Sequence, residues 1–224
     1  MLARVKSTPG GRILVELLML VVGINIALWF EGQFQEFEDA RTEREYLAGL
    51  RDDLVRDLAL LDAVIEHDRE KIEQLNTIIP RLSALARASA EEQAETFFAP
   101  SSYLFFEPSD FTYRAMQESG DFRLLSDPDI REDLLRLMRQ YRLIDTLQNN
   151  FLQALDDGYI PLMMTYFDLV AMRLADTAVL EKPGFRNFFA YTKQDTGQRL
   201  YAVEGAREQA AELLGRIRTQ LGDV

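Results

Sequence analysis

The chain has 224 residues, 47% of them apolar and 28% charged, enough apolar material for a real core and too much for a disordered chain. Thirty-seven acids against 25 bases give a net charge of −12; such a surface repels phosphate, so nucleic acid is not an expected partner and flat adsorption to anionic lipid is disfavoured. The absence of cysteine removes both a disulfide framework and a thiolate metal site.

Residues 1–12 are basic and interrupted by Pro9-Gly10-Gly11, the pattern of a flexible cytoplasmic stub too short for an output domain. Residues 13–30, ILVELLMLVVGINIALWF, follow. As a helix these 18 residues reach about 27 Å, close to the roughly 30 Å of a hydrocarbon core, so they read as a transmembrane helix. No small-x-small pair precedes Glu31, which makes the segment an uncleaved signal anchor. Arg4, Lys6 and Arg12 stand before it with no acid among them, while Trp29 and Phe30 sit where rings settle at a membrane interface. The expectation is a single-pass protein of a bacterial inner membrane, N-terminus in the cytoplasm and residues 31–224 in the periplasm.

Two polar residues lie inside the span. Glu16 follows Arg12 by four and pairs with it or snorkels to the headgroups. Asn25 is about 180° away from Glu16, whose own face carries Leu20, Gly23 and Ala27. Gly23 and Ala27 form a small-xxx-small pair that lets backbones approach, and Asn25 can hydrogen-bond across such a contact. Glu16, Gly23, Asn25 and Ala27 are therefore the expected helix contacts, toward other membrane chains or a second copy.

Beyond the span, Leu20, Gly23, Ala27, Phe30, Phe34 and Phe37 alternate by three and four in a coiled-coil-like seam, so the helix is expected to run on. Residues 40–79 are the clearest helix, with Leu47, Leu50, Leu54, Leu58, Leu61, Ile65, Ile72, Leu75 and Ile79 on one stripe. Pro80 ends or kinks it, and the alanine-rich stretch 82–94 resumes it. Residues 97–113, FFAPSSYLFFEPSDFTY, hold seven aromatics around two prolines, a composition unlike a linker. Either the rings cap the bundle, or some of Phe97, Phe98, Tyr103, Phe105 and Phe106 form a docking surface. Ser109 or Asp110 caps a short helix closing at Gly120, and Ser126-Asp127-Pro128 opens a long one whose heptad rhythm runs from Ile130 to Phe151. Asp156-Asp157-Gly158 interrupts it. An apolar helix is expected at 162–174, and Lys182-Pro183-Gly184 precedes a last helix to about Leu221 in which Gly197, Gly205 and Gly215 either each weaken the helix by about 1 kcal/mol relative to alanine or mark tight crossings. The fold class is all-α: one N-terminal transmembrane helix continuing into an antiparallel bundle, with the helix of 40–79 antiparallel to that of 128–151.

GRILVELLMLVVGINIALWFEGQ, YLAGLRDDLVRDLALLD, FTYRAMQESGDFRLLSDPDIREDLLRLMRQY and FRNFFAYTKQDTGQRLYAVEGAREQAAELLGRI resemble an uncharacterised family of bacterial single-pass membrane proteins, a domain of unknown function. Gly23, Ala27 and Trp29 fall in the places of that family's IGIxxAL-type span and its aromatic exit. The resemblance covers nearly the whole chain and implies an anchored helical domain without an assigned activity.

Chemistry is sparse. The one histidine, His67, shares a helical face only with Glu70, and one histidine excludes a di-iron bundle of the Glu-x-x-His type. No nucleophile elbow, phosphate loop or dinucleotide fingerprint occurs. No catalytic residue, metal ligand or cofactor is assigned, and the chain is not expected to be an enzyme. The expected function is a structural or accessory subunit packing against other membrane chains; the alternative is a periplasmic ligand sensor acting through a separate output protein.

Overall fold

A computed structural model describes the backbone of residues 9–223, with side chains except at residues 9–16, 27, 28 and 32. Most of the stub at 1–12, and the side chains of Glu16 and Ala27, therefore lie outside the described residues. The elements are α1 (Pro9–Ile78), α2 (Ala90–Phe98), α3 (Phe111–Ser119), α4 (Pro128–Ala154), α5 (Ile160–Tyr166), the two-residue strands β1 (Phe167–Asp168) and β2 (Arg173–Leu174), and α6 (Pro183–Leu221). The chain is all-α apart from that small strand pair. Pro9-Gly10-Gly11 opens α1 instead of breaking the chain, since proline's missing N–H is no loss in a first helical turn.

The chain divides into two compact units, Met1–Tyr46 and Leu47–Val224. In the first, α1 is the one helix among the described residues long and apolar enough to cross a membrane. Its 18-residue window of mean hydropathy 1.6 has no part buried by the protein. Leu17, Met19, Leu20, Ile24 and Ile26 are all exposed. The Asn25 amide donates to the Val21 carbonyl at 2.7 Å, so one of its two N–H groups is satisfied within the helix.

In the second unit three long helices pack together. Asp62–Arg207 at 2.9 Å and Arg51–Asp223 at 2.6 Å set α1 antiparallel to α6. Asp133–Arg216 at 3.0 Å and Gln140 donating to the Ala202 carbonyl at 2.9 Å set α4 antiparallel to α6. It follows that α1 and α4 run parallel, as Tyr141 beside Asp57 and Phe151 beside Lys71 require. The expected antiparallel pair of α1 and α4 is thus corrected.

The cause is residues 102–110, which return the chain along the bundle without helix. Lys71 meets Ser102 and Asp57 meets Ser109. Seven extended residues reach about 23 Å, matching about 21 Å over the fourteen helical residues between Lys71 and Asp57. After this crossing, α4 starts again at the end where α1 entered the unit.

Local chemistry sets the ends. α1 stops at Ile78 ahead of Pro80, and a 3-10 turn through Ile79–Arg87 replaces the α-helix expected at 82–94. α2 begins only where the Ser89 hydroxyl accepts from the Glu92 N–H at 3.2 Å. Gly120, at φ 78°, closes α3, and the Asp127 carboxylate caps α4 by accepting from the N–H groups of Asp129 and Ile130. Around Asp156-Asp157-Gly158 the helix widens to a π turn and continues into α5.

The helix expected at 162–174 ends at Tyr166. Asp168 accepts from the N–H groups of Val170 and Ala171, both at 2.9 Å, and turns the chain into the β1–β2 hairpin. Gly197 and Gly215 have nothing within 4 Å of where a Cβ would stand, so neither marks a crossing; Gly205 has only Gln140 Nε2 at 3.5 Å. The tight glycine is Gly49, whose Cβ would lie 2.8 Å from Thr112 Oγ1.

Candidate functional site

A chain that crosses a bundle without secondary structure brings backbone N–H and C=O groups inside, and each needs a partner. Five side chains on the long helices supply them. Asp53 accepts from the Thr112 N–H at 3.1 Å, and Asp57 from the Ser109 N–H at 2.7 Å while its other oxygen accepts from the Tyr141 hydroxyl at 2.9 Å. Gln148 takes both groups of Phe106, accepting from its N–H at 2.7 Å and donating to its carbonyl at 3.1 Å. Lys71 donates to the Ser102 carbonyl at 2.5 Å and Arg199 to the Leu104 carbonyl at 2.8 Å.

At Lys71 and Arg199 this clasp becomes a buried cluster of charges. Arg199 and Asp68, both at 0% exposure, form a bidentate pair, with Arg199 Nε 2.8 Å from one carboxylate oxygen and a terminal nitrogen on the other. The guanidinium carbon lies over Tyr103, 3.6 Å from the ring centroid, and Tyr103 stacks on Phe151 at 4.6 Å. Lys71 points over the Phe151 ring at 4.6 Å. Burial, reinforced by the Arg199 charge and opposed by Asp68 and Asp195, lowers the Lys71 ammonium from 10.5 to about 7. Burial likewise raises the Asp195 carboxyl above its ordinary range, against the pull of Arg199 and Lys71. Tyr103 OH, Thr192 Oγ1, Asp195 Oδ2 and Thr196 Oγ1 are buried with no hydrogen-bond partner among the described residues. The last three sit on the inner face of α6.

His67 lies at the edge of this cluster, Nε2 3.0 Å from the Ser102 hydroxyl and Nδ1 3.4 Å from Asp68. Serine, histidine and aspartate in that order can perform acyl transfer, but only with a free carboxylate and donors for an oxyanion. Asp68 is held by Arg199, and the Ser102 N–H is turned to the Ala99 carbonyl. The arrangement braces the crossing.

The aromatics expected as a docking surface are mostly consumed by the core. Phe97 and Phe106 are buried, Phe98 and Tyr103 half-buried, and only Phe105 is exposed, at 44%. Phe97 stacks on Phe167 at 4.7 Å and on Phe185 at 5.1 Å, which leaves it no free face. Phe97, Phe98 and Tyr103 join the core cluster at one end of the bundle, whereas Phe106 packs on Tyr141 further along the crossing. Trp29 and Phe30 are exposed and meet edge to face at 5.1 Å, and Gly23 has open space where a Cβ would stand.

Sequence reasoning missed Asp68, Lys71, Asp195 and Arg199. A signal was present: in the run Leu61, Val64, Asp68, Lys71, Leu75, charges occupy stripe positions where the rhythm calls for apolar side chains. Asp195 and Arg199 do the same on α6, between Thr192 and Val203.

A family model, that of a family of unknown function (DUF6090), matches residues 16–193. The chain belongs to the DUF6090 family. The DUF6090 match takes in the apolar helix, the crossing with Asp53, Asp57, Lys71 and Gln148, and the opening turns of α6; it stops two residues before Asp195. No curated protein and no solved structure matches the chain.

Proposed function

We propose that this DUF6090 protein is a membrane-anchored structural or accessory subunit, which packs against other membrane chains through its span and its bundle and carries no catalytic activity. The observation behind this reading is the division of labour in the chain. The N-terminal helix leaves apolar side chains from Leu17 to Phe37 uncovered by its own protein, while five polar side chains of the bundle hold its own crossing segment. The protein sits in a bacterial inner membrane as a single-pass chain. Its basic N-terminal residues Arg4, Lys6 and Arg12 face the cytoplasm and its bundle faces the periplasm.

Purification in mild detergent, with identification and stoichiometry of co-purifying chains, tests this. Gly23→Leu is expected to lose those chains without altering insertion or bundle folding. Asn25→Leu is expected to lose less, because its amide is already bonded to Val21 and an interhelical bond adds only about 0.6–2 kcal/mol. Unchanged stoichiometry in both variants would make the span a passive tether.

A second reading, a periplasmic sensor acting through a separate output protein, draws on the buried cluster. Lys71, with its pKa near 7, changes charge across the pH range a periplasm meets. Sensing requires that the bundle rearrange when Lys71 titrates; identical amide protection factors for residues 102–110 at pH 6 and pH 8, each corrected for the intrinsic pH dependence of exchange, would remove this reading.

A further inference from the structure

Past the span, α1 keeps an apolar stripe in a polar stretch. Phe30, Phe34 and Phe37 recur at four and three residues on one face and are 62%, 64% and 72% exposed. At about 1.5 Å per residue, Phe34 stands about 6 Å and Phe37 about 10 Å beyond Phe30. A headgroup layer adds about 5–7 Å to each side of the hydrocarbon, so Phe34 stands at the outer edge of that layer and Phe37 beyond it. The surrounding charge also opposes anionic lipid, since residues 31–46 hold Glu31, Glu36, Glu38, Asp39, Glu43 and Glu45 against Arg41 and Arg44.

The charges select the occupant. With Phe34 at an a position and Phe30 and Phe37 at d, Glu31 and Glu38 are successive e positions along one edge of the stripe. No ion pair to either occurs among the described residues, whereas Glu45 further along is paired with Arg41 at 3.0 Å. Two copies of this chain inserted the same way would run parallel and in register, which sets Ile26 opposite Glu31 and Gln33 opposite Glu38. Neither acid then meets a cation, and the acidic segments repel. A helix with Lys or Arg at those positions neutralises both.

We propose that the Phe30–Phe34–Phe37 stripe docks a juxtamembrane helix of a different membrane protein, one with an apolar seam and basic residues opposite Glu31 and Glu38. This rests on the accessory-subunit reading and names the chemistry of the partner. The probes are two single-span peptides with leucine at a and d beyond the membrane, identical except for Lys or Glu at the two facing g positions. Each is titrated against the full chain in phosphatidylcholine nanodiscs. The Lys peptide should bind at least tenfold more tightly than the Glu peptide, and the double variant Glu31→Lys, Glu38→Lys should invert that order.

The chain contains no cysteine, so Phe37→Cys alone reports self-contact. Efficient disulfide-linked dimers of this variant in the membrane would assign the stripe to a second copy and overturn the proposal. Quenching of Phe37→Trp, in a Trp29→Phe background, by headgroup-level brominated lipid would assign it to the bilayer and do the same. Equal binding of both peptides, with Gly23→Leu still shedding co-purifying chains, would sink the basic partner and leave the subunit reading standing.

Discussion

Lys71 shows what a single buried charge does to the energetics. Its folded pKa of about 7 lies below the 10.5 of an exposed lysine, so between those values the unfolded chain binds more protons than the folded one. Stability from this group therefore rises with pH across that window, by up to about 1.4 kcal/mol per unit, and is flat below it. Tyr103, Tyr141 and Tyr159, all raised by burial, bring the opposite slope only above their ordinary pKa of 10. Chemical denaturation between pH 6.5 and 9.5 should show the rise, and Lys71→Met should flatten it. Arg199→Met is expected to cost about 3–5 kcal/mol, because Asp68 stays buried without its cation. Adding Asp68→Leu should recover most of that loss, which a double-mutant cycle by urea unfolding measures.

Among the elements, the crossing depends most on side chains elsewhere. Gln148→Leu strands both the N–H and the carbonyl of Phe106, at about 1–3 kcal/mol for each unsatisfied group. Limited proteolysis should then cut within 102–110 before it cuts any of the long helices. Gly49 and Thr112 make a second contact of this kind. Gly49→Ala alone drives a methyl into Thr112, an overpacking of about 1–3 kcal/mol, whereas in a Thr112→Ala background the same change should stabilise α1 by about 1 kcal/mol, the ordinary preference of a helix for alanine. Thermal unfolding of the four combinations checks the change of sign.

Helix starts and stops were readable because their causes are local: Asp127 caps its own next residues, Gly120 adopts its own left-handed turn, and Pro80 lacks its own N–H. The hairpin at 167–174 was hidden because its apolar run has a helix's composition and one carboxylate, Asp168, decides the turn. The clasp was hidden for a related reason. Asp68 and Arg199 stand 131 residues apart, and each alone reads as a solvated charge. The direction of α4 went unread because nothing in residues 102–110 announces that a proline-bounded aromatic stretch stays extended along the bundle.

For the molecule as a whole, one apolar helix and the basic residues before it predict a bundle entirely on one side of the membrane. A periplasm-dependent reporter joined after Val224 should be active and a cytoplasm-dependent one silent; the reverse would invert the topology. The long sequence separation between Asp68 on α1 and Arg199 on α6 also sets an order of events during synthesis. Asp68 leaves the ribosome 131 residues before the arginine that neutralises it, a delay of roughly 7–26 s at about 5–20 residues per second. Through that interval the apolar flank of α1 stands without α4 or α6. Newly made chains should therefore need a holding chaperone at the membrane, and slowing translation ahead of α6 should lengthen that dependence.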